Sequence, residues 1–294
     1  MESVLIVLNY NDAITTKKLI NNAENIKKLD KIVVVDNNSS DNSLEELEKL
    51  KGEKTDVIKA EKNGGYAYGN NYGVTYAIRK YSPKYIFIAN PDIELGESVI
   101  DGILKFFETQ ARENKKIGVV SGKMVTTTGA KIHPAWKLPT YGDCLWENLM
   151  VLRKLLRVKS AYYNQDYFMG KESKVDVVSG AFFAIETKTF VDMGMLDEST
   201  FLYGEENILA YKLKKEGYDN YILNQYEFLH HHSVSISKNI KSTGKKLDLA
   251  YESRCIYLDK YLKAGKIKKI IHAVTYKVGK INYLLAKRLT AGTK

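Results

Sequence analysis

Residues 3–9 read Ser3-Val4-Leu5-Ile6-Val7-Leu8-Asn9, an unbroken apolar run that ends in a polar residue. Such a run is typical of a β-strand that is buried on both faces. Further apolar runs follow at residues 31–35, 56–60 and 84–89, and segments with helical spacing separate them at residues 12–28, 43–50 and 63–80. Alternating strands and helices predict a parallel sheet with right-handed crossovers, which is the α/β class.

Polar side chains stand at or just after the ends of these predicted strands. They are Asn9, Asp36, Asn63 and Asp92. In parallel sheets of this kind, ligands bind at the carboxyl ends of the strands. The order and polarity of the chain therefore predict a binding crevice at one edge of the sheet.

The remainder of the chain has a less regular pattern. Residues 123–174 contain both tryptophans, Trp136 and Trp146, and show few clear periods apart from a short helix at residues 145–156. We then predict a strand at residues 175–185 that is interrupted at Ser179-Gly180, a helix at 205–216, a strand at 221–229, and helices at 247–262 and 267–289. A long insertion such as residues 123–174 often forms a lid or a substrate wall.

The composition is that of an ordinary globular protein, with 294 residues, 44% of them hydrophobic and 27% charged. Cys144 and Cys255 have no metal-ligand spacing, which favours a reducing compartment. The N-terminus lacks the basic region of a signal peptide, and no apolar window reaches the roughly 18 residues that a membrane span needs. We therefore expect a cytoplasmic protein.

The net charge of +10 is concentrated in residues 241–294, where 14 Lys and Arg face only Asp248, Glu252 and Asp259. Residues 267–289 mix basic and apolar side chains at spacings of three and four, as in a helix that lies in a membrane interface. We predict that this segment docks on the anionic cytoplasmic face of a membrane. A solvated helix face, packing on the chain's own domain, and packing on a second subunit of a homodimer fit the same spacing. We expect no nucleic acid partner.

Two segments contain side chains that suit a divalent metal. Asp92 follows a buried strand and Pro91, and a carboxylate there suits a hard cation that bridges phosphates. Taken alone, Asn90-Pro91-Asp92 favours a turn or a helix cap instead. In His230-His231-His232, the first and third side chains share one face of a strand, so His230 and His232 are candidate ligands, although a structural role is as compatible.

Three further motifs point to a nucleotide ligand and an acid–base reaction. Asp36 opens a polar cluster that suits either ribose hydroxyls or a helix cap. The glycine-rich residues 63–69 precede a helix and suit an anion, but they match neither a Walker loop nor a dinucleotide fingerprint, which argues against an NTPase or a dehydrogenase. Glu205-Glu206 opens a helix, where the two carboxylates are either stabilised by the dipole or paired as a general base.

Taken in order, these motifs resemble the family-2 inverting glycosyltransferases with the GT-A fold. The matching segments are residues 7–11, 34–41, 63–73, 89–92, 179–181 and 203–206 and the histidine cluster, and they span about residues 3–260. The Asn-Pro-Asp variant is similar to a subgroup of bacterial rhamnosyltransferase-like enzymes. The resemblance implies a Rossmann-like, mostly parallel central sheet flanked by helices, with a helical, basic C-terminal extension.

The resemblance also implies a division of the chain and a role for each motif. Residues 1–240 would form the catalytic domain, with a nucleotide-sugar half at 1–122 and an acceptor half at 123–240, and residues 241–294 would be the extension. Glu206 would be the catalytic base beside Glu205, and Asp92, His230 and His232 would hold Mg²⁺ or Mn²⁺. Donor contacts would come from Asn9, Asn11, Asp36, Asn38, Asn63, Gly64, Gly65, Asn70, Asn90 and Arg254. Acceptor contacts would come from Trp136, Ser179, Gly180 and Ala181.

The implied reaction transfers a hexosyl or deoxyhexosyl group from a dTDP- or UDP-sugar to a glycan or lipid-linked acceptor, as in the synthesis of bacterial surface polysaccharides. Two positions depart from the family's pattern. Asn90 replaces the first carboxylate of the Asp-any-Asp signature, and Glu206 replaces the aspartate that is often the base. A sugar nucleotidyltransferase is the main alternative, but it should carry a glycine-rich basic loop where this chain has Asn9-Tyr10-Asn11-Asp12. A non-catalytic scaffold subunit is the other.

Overall fold

The computed structural model describes residues 2–127, 133–159, 161–231 and 239–291. Its first part alternates strands and helices: β1 Ser3–Asn9, α1 Ala13–Ala23, β2 Lys31–Asp36, α2 Ser43–Glu48, β3 Thr55–Lys59, α3 Gly65–Tyr81 and β4 Tyr85–Ala89. β1 pairs in parallel with β2 on one side and with β4 on the other, and β3 lies beyond β2. The strand order therefore reverses at β1, and such a reversal opens a crevice at the carboxyl ends of the strands on either side.

The first helix is shorter than the predicted residues 12–28. After Ala23 the chain leaves the helix, and the ammonium group of Lys54 donates hydrogen bonds to the backbone carbonyls of Ala23, Glu24 and Ile26. Ile26 is nevertheless buried, because the chain turns back towards the sheet. The apolar spacing therefore predicts the burial of Ile26 correctly. It does not predict the end of α1, where Lys54, distant in sequence, bonds to the backbone carbonyls.

The second part of the chain completes the sheet and covers it. Its elements are β5 Ile93–Glu94, α4 Glu97–Arg112, β6 Ile117–Val125, β7 Ala135–Trp136, α5 Tyr141–Asn148, α6 Met150–Leu155, β8 Glu172–Val175, β9 Val177–Val178, β10 Phe182–Glu186, α7 Thr187–Asp192, α8 Glu205–Lys215 and β11 Asp219–His230. The main sheet has nine strands in the order β3-β2-β1-β4-β10-β6-β11-β5, with β8 also paired to β11. β10, β5 and β8 run against the direction of the other strands, so the sheet is mixed and mostly parallel.

Residues 123–174 contain more regular structure than the one short helix predicted at 145–156. α5 and α6 cover that helix, and the end of β6, β7 and most of β8 also lie in the segment. Two glycines interrupt the apolar pattern of β6. A Cβ atom at Gly122 would lie 2.6 Å from the Val99 side chain, and one at Gly118 would lie 2.4 Å from the Asn220 side chain. The strand needs these small residues for close packing, and their presence hides it from a search for apolar runs.

Helices cover both faces of the sheet. One core cluster joins the strands to Leu19 of α1, Leu47 of α2 and Val99 of α4. A second cluster on the other face joins them to Val74 of α3, Phe190 of α7 and Leu209 of α8. This arrangement is that of an α/β sheet buried on both faces, as the continuous apolar strands predict.

Two helices follow the sheet, α9 Thr243–Ile256 and α10 Lys266–Ala291, separated by one π-helical turn at Tyr257–Tyr261. α9 begins earlier than the predicted residue 247, because the Ser242 side chain accepts a hydrogen bond from the Lys245 amide and caps the helix. α10 packs closely on the end of α5: a Cβ atom at Gly279 would lie 1.8 Å from the carbonyl oxygen of Asn148. Within the described residues, no helix has the length and apolar content needed to span a membrane.

Candidate active site

A cavity of about 330 Å³ lies at the carboxyl ends of β1 and β4, where the strand order reverses. Its volume falls in the range typical of ligand sites, about 300–1,000 Å³. Its polar lining consists of Tyr10, Asn37, Asn63, Tyr66, Asn90, Asp92, His230, Asn239 and Lys245. The crevice predicted from the strand ends is therefore present, and segments from the whole length of the chain line it.

Asp92 and His230 lie together at one side of this cavity. β5 pairs with β11, so that Ile93 lies opposite His230, and the Asp92 carbonyl accepts a hydrogen bond from the His231 amide at 2.9 Å. The His230 Nε2 atom is 3.4 Å from Oδ1 of Asp92, and both side chains are nearly buried. Two adjacent ligands of these types suit one divalent cation.

The described part of the chain holds no group of three His, Cys, Asp or Glu side chains arranged for a metal. His232, which we predicted as a third ligand, lies outside the described residues. Asp92 and His230 therefore supply a pair of candidate ligands, and a bound diphosphate and water would have to supply others, as is usual for Mg²⁺ in phosphate sites.

Tyr66 separates this cavity from a second, smaller pocket. The Tyr66 side chain lines the large cavity beside Asp92, and it also lines the pocket that contains Glu205 and Glu206. Its hydroxyl donates a 2.6 Å hydrogen bond to the carbonyl oxygen of Gly180. The Asn90 backbone amide donates to the Ala181 carbonyl at 2.8 Å. Of the predicted acceptor contacts Ser179, Gly180 and Ala181, only Gly180 lines the smaller pocket, and none lines the large cavity.

The acidic pair begins α8, directly after a tight turn. Tyr203 and Gly204 both have left-handed backbone angles, with φ of 72° and 84°. The turn is held against the loop before α3, because the Tyr66 amide donates to the Phe201 carbonyl at 2.9 Å. The glycine-rich loop and the segment before the acidic pair are distant in sequence, but they are joined by this hydrogen bond.

Glu205 and Glu206 are neighbouring carboxyl groups with raised pKa values. Burial raises the pKa of Glu205 well above its usual range, and the neighbouring Glu206 carboxylate raises it further. Burial also raises the pKa of Glu206. The raised pKa values of both groups favour a carboxylate of increased basicity at this helix terminus. Such a carboxylate suits the removal of a proton from a hydroxyl group.

Aromatic side chains border the side of α8 that carries this pair. The Trp136 indole donates a 2.8 Å hydrogen bond to the side chain of Asn207, the residue after Glu206. Tyr162 packs edge-on against Trp136 and stacks on His133, with ring centroids 3.7 Å apart in the second pair. Trp136, predicted as an acceptor contact, therefore contacts the residue that follows the acidic pair.

Comparison with known protein families matches residues 4–160, more than half of the chain, to the family described as Glycosyl transferase family 2. The chain belongs to glycosyltransferase family 2. The resemblance to family 2 that was inferred from the motifs is confirmed.

Two curated relatives are transferases. The chain is 24% identical over 215 residues to the low-salt glycan biosynthesis hexosyltransferase Agl10 of Haloferax volcanii, a match that covers 72% of this chain and 61% of that protein. It is 22% identical over 194 residues to the rhamnosyltransferase WbbL of Escherichia coli K12, which covers 62% of this chain and 70% of that protein. The chain thus spans less than two thirds of the length of Agl10.

Solved structures confirm the GT-A fold. Staphylococcus aureus TarS 1–349 in complex with UDP-GlcNAc superposes with a TM-score of 0.58 at 16% identity, covering 88% of this chain and 67% of that one. The mannosyltransferase PcManGT of Pyrobaculum calidifontis, in complex with GDP-Man and Mn²⁺, gives a TM-score of 0.57 at 14% identity, covering 94% and 69%. Two proteins with this fold are thus solved with nucleotide sugars, in one case with Mn²⁺.

Several predicted donor contacts of this family-2 glycosyltransferase do not line the cavity. Asp36 is completely buried, and its carboxylate accepts hydrogen bonds from the Asn9 side chain and the Ser39 amide. Asn11 and Asn38 have left-handed backbone angles, and the Asn11 side chain bonds to Ser40. These residues order the loops at the ends of β1 and β2.

Asn70, Gly64 and Arg254 also lie away from the cavity lining. The Asn70 side chain donates to the Tyr66 carbonyl at 2.9 Å and thereby supports the cavity indirectly. The Arg254 guanidinium donates to the Asn148 side chain between α9 and α5, and burial lowers its pKa. The structure therefore places Arg254 in the packing of the C-terminal helices.

Asn37, Tyr66 and Lys245 were not predicted as site residues. Asn37 follows the buried Asp36, and its Nδ2 atom donates to Asn63 at 3.0 Å and to the Gly65 carbonyl at 3.1 Å. Lys245 is an exposed residue of α9 at the rim of the cavity. Asn37 and Tyr66 directly follow the predicted residues Asp36 and Gly65, whereas Lys245 is not next to any predicted motif. Loop conformations decide which of these side chains face the cavity.

Proposed function

We propose that this glycosyltransferase transfers a hexosyl or deoxyhexosyl group from a nucleotide-diphosphate sugar to an acceptor hydroxyl with inversion at the anomeric carbon. The observation that carries the proposal is the position of Tyr66, which borders the Asp92 cavity on one side and the Glu205–Glu206 pocket on the other. A donor held in the cavity would place its reactive carbon near the acidic pair. This arrangement supports direct displacement by an acceptor that Glu206 deprotonates.

The chain offers both metal ligands and a basic side chain for the diphosphate. Asp92 and His230 would hold Mg²⁺ or Mn²⁺, which neutralises charge on the leaving diphosphate when bound. Lys245, at the cavity rim, would add a positive charge of the protein itself. The side-chain oxygen of Asn37 is buried and has no hydrogen-bond partner among the described residues. It could accept a hydrogen bond from an N–H or O–H group of the nucleotide.

The proposed reaction proceeds in one displacement. The acceptor oxygen forms a bond to the anomeric carbon as the bond from that carbon to the diphosphate oxygen breaks. The acceptor proton passes to the Glu206 carboxylate, and the electron pair leaves with the nucleoside diphosphate. Trp136 and residues 179–181 would position the acceptor, since Trp136 bonds to Asn207, the residue after Glu206, and Gly180 accepts a hydrogen bond from Tyr66.

The names of the relatives guide the proposed substrates. A hexosyltransferase of glycan biosynthesis and a rhamnosyltransferase are consistent with a UDP- or dTDP-linked donor and a glycan or lipid-linked acceptor in surface polysaccharide synthesis. We place the enzyme in the cytoplasm or on the cytoplasmic face of a membrane. We retain residues 1–240 as the catalytic domain, although Lys245 and Leu249 of the C-terminal extension also line the cavity.

A donor-hydrolysis and transfer assay with a panel of nucleotide sugars and Mn²⁺ tests this proposal. We expect nucleoside diphosphate as the product, and a fall in turnover by a factor of roughly 10²–10⁴ in Glu206→Gln, because a general base contributes about that much. Glu216→Gln, at the exposed end of the same helix, is the matched control. Release of pyrophosphate, or near-normal turnover in Glu206→Gln with its donor affinity unchanged, would reject the proposed chemistry.

A further inference from the structure

The outward face of α10 carries a long stripe of exposed apolar side chains. The stripe consists of Ile267, Ile270, Ile271, Val274, Val278, Ile281, Leu285 and Leu289. Exposure ranges from 43% at Ile271 to 76% at Ile267, so these side chains are not covered by the described part of the protein. Soluble monomeric surfaces rarely leave so many large apolar residues together in water without a binding function.

The arrangement of these residues is regular. At about 100° per residue, they fall within a sector of the helix roughly 100° wide, and the stripe is about 33 Å long at a rise of 1.5 Å per residue. The opposite side of α10 is buried on the protein: His272, Tyr276 and Gly279 face α5 and α9. α10 therefore packs on its own domain through one face and presents a separate apolar face outward.

Basic side chains run along one edge of the stripe. Lys266, Lys277 and Arg288 are spaced by eleven residues, a period that keeps them in one row on the helix surface. None of the three forms an ion pair with the described residues, whereas Lys269 pairs with Asp259 and Lys280 pairs with Asp248. α10 contains no acidic residue.

The helix next to α10 adds to this surface. α6 contacts α10, and Leu152 and Leu155 of α6, with the following Leu156, are 40–75% exposed. Lys154 and Arg157 are exposed in the same short segment. Two adjacent helices thus carry the same combination of exposed apolar and basic side chains, which is unlike an ordinary solvated face.

We propose that the stripe of α10 docks in the interface of an anionic lipid membrane, with its apolar side chains among the acyl chains and the row of Lys266, Lys277 and Arg288 at the head groups. The row of unpaired basic charges complements anionic lipid. A second copy of α10 would instead place basic rows near each other with no acidic side chain to neutralise them, which disfavours pairing between two stripes.

Docking in this way would bring the cavity close to the membrane surface. α9 contacts α10 through Asp248 and Tyr251, and it lines the cavity through Lys245 and Leu249. One helix therefore separates the docking surface from the candidate active site, which suits an acceptor whose lipid is embedded in the membrane. This last point rests on the proposed function, whereas the docking itself does not.

Vesicle flotation of the full chain measures the docking directly. We expect the protein to bind vesicles of phosphatidylcholine mixed with phosphatidylglycerol much more strongly than vesicles of phosphatidylcholine alone. Replacing Lys266, Lys277 and Arg288 with glutamine should lower the partition coefficient on the order of 100-fold, because each basic residue near an anionic surface contributes a factor of roughly five. The double variant Ile270→Gln/Ile281→Gln should lose binding to a similar or greater extent.

Ile14→Gln is the matched control, because Ile14 is 71% exposed but lies on α1. It should bind vesicles like the wild type, and all variants should keep the wild-type melting temperature and donor hydrolysis. Equal binding to both kinds of vesicle, or wild-type binding by the α10 variants, would overturn the proposal. So would a dimer in solution that the α10 variants convert to monomer, since a second copy would then cover the stripe. Failure of donor hydrolysis with intact vesicle binding would count against the proposed function alone.

Discussion

Replacement of Gly65 with alanine tests whether the glycine-rich loop and the turn before the acidic pair act as one structure. Gly65 has a φ of +90°, and an added Cβ atom would lie 2.2 Å from the carbonyl oxygen of Phe201. That oxygen accepts the 2.9 Å hydrogen bond from the Tyr66 amide. The extra methyl group must therefore displace the Phe201 backbone, which precedes Glu205 and Glu206 by a few residues.

The expected loss of stability follows from these contacts. The left-handed conformation costs an alanine roughly 1–2 kcal/mol. Loss of the Tyr66–Phe201 hydrogen bond costs about 0.5–1.5 kcal/mol more. The displaced backbone adds to this, so we expect the free energy of unfolding to fall by about 2–4 kcal/mol and the melting temperature by roughly 5–10 °C. Transfer activity should fall further than stability alone explains, because the acidic pair moves with the turn.

Gly217→Ala separates the backbone strain from the steric contact. Gly217 has a φ of +78°, but no atom lies within 4 Å of a Cβ placed there. We expect this variant to lose only the roughly 1–2 kcal/mol of conformational strain and to retain activity. Calorimetry and donor hydrolysis on both variants measure the difference. Equal losses in Gly65→Ala and Gly217→Ala would refute the coupling between the two loops.

Two other predictions concern charge at the site. A carboxyl group with a raised pKa in the folded state stabilises the fold below its unfolded pKa and loses that contribution as the pH rises through the folded pKa. Glu205→Gln should therefore raise the free energy of unfolding at neutral pH, by about 1–3 kcal/mol, and change it least under acidic conditions. Urea titrations across pH that show no such trend would contradict the raised pKa of Glu205. Lys245→Ala should weaken nucleoside diphosphate binding by roughly 10–100-fold in calorimetric titration, whereas Lys241→Ala, an exposed residue outside the cavity lining, should not; equal affinities would remove Lys245 from the diphosphate site.

The strands that the sequence predicts best are those with continuous apolar runs. β1, β2 and β4 are buried along almost their whole length, so their pattern depends on the sheet alone. β6 is equally buried but needs Gly118 and Gly122 where neighbouring side chains approach. A strand that is buried through glycine residues has no continuous apolar run, so the sequence pattern does not predict β6.

The residues that line the cavity can also be divided into those that the sequence predicts and those that it does not. Asn63, Gly65, Asn90, Asp92 and His230 line the cavity because strand ends and strand pairing place them there, and both features can be inferred from order along the chain. Order along the chain does not predict that Asn37, rather than Asp36, lines the cavity. This placement depends on the left-handed turn at Asn38, which keeps Asp36 bonded to Asn9 and turns its neighbour towards the cavity.

The contacts of Tyr66 show why the motifs of this chain are weak individually and informative together. Its backbone amide is bonded to Phe201 and its hydroxyl to Gly180, so three segments that are distant in sequence meet at one residue. Asp92 and His230 likewise meet only through the pairing of β5 with β11. Each motif therefore supplies a fragment of a surface that exists only after the sheet has formed. Because closing such long loops costs entropy that local contacts cannot offset, the large cavity and the acidic pair should be ordered or lost together.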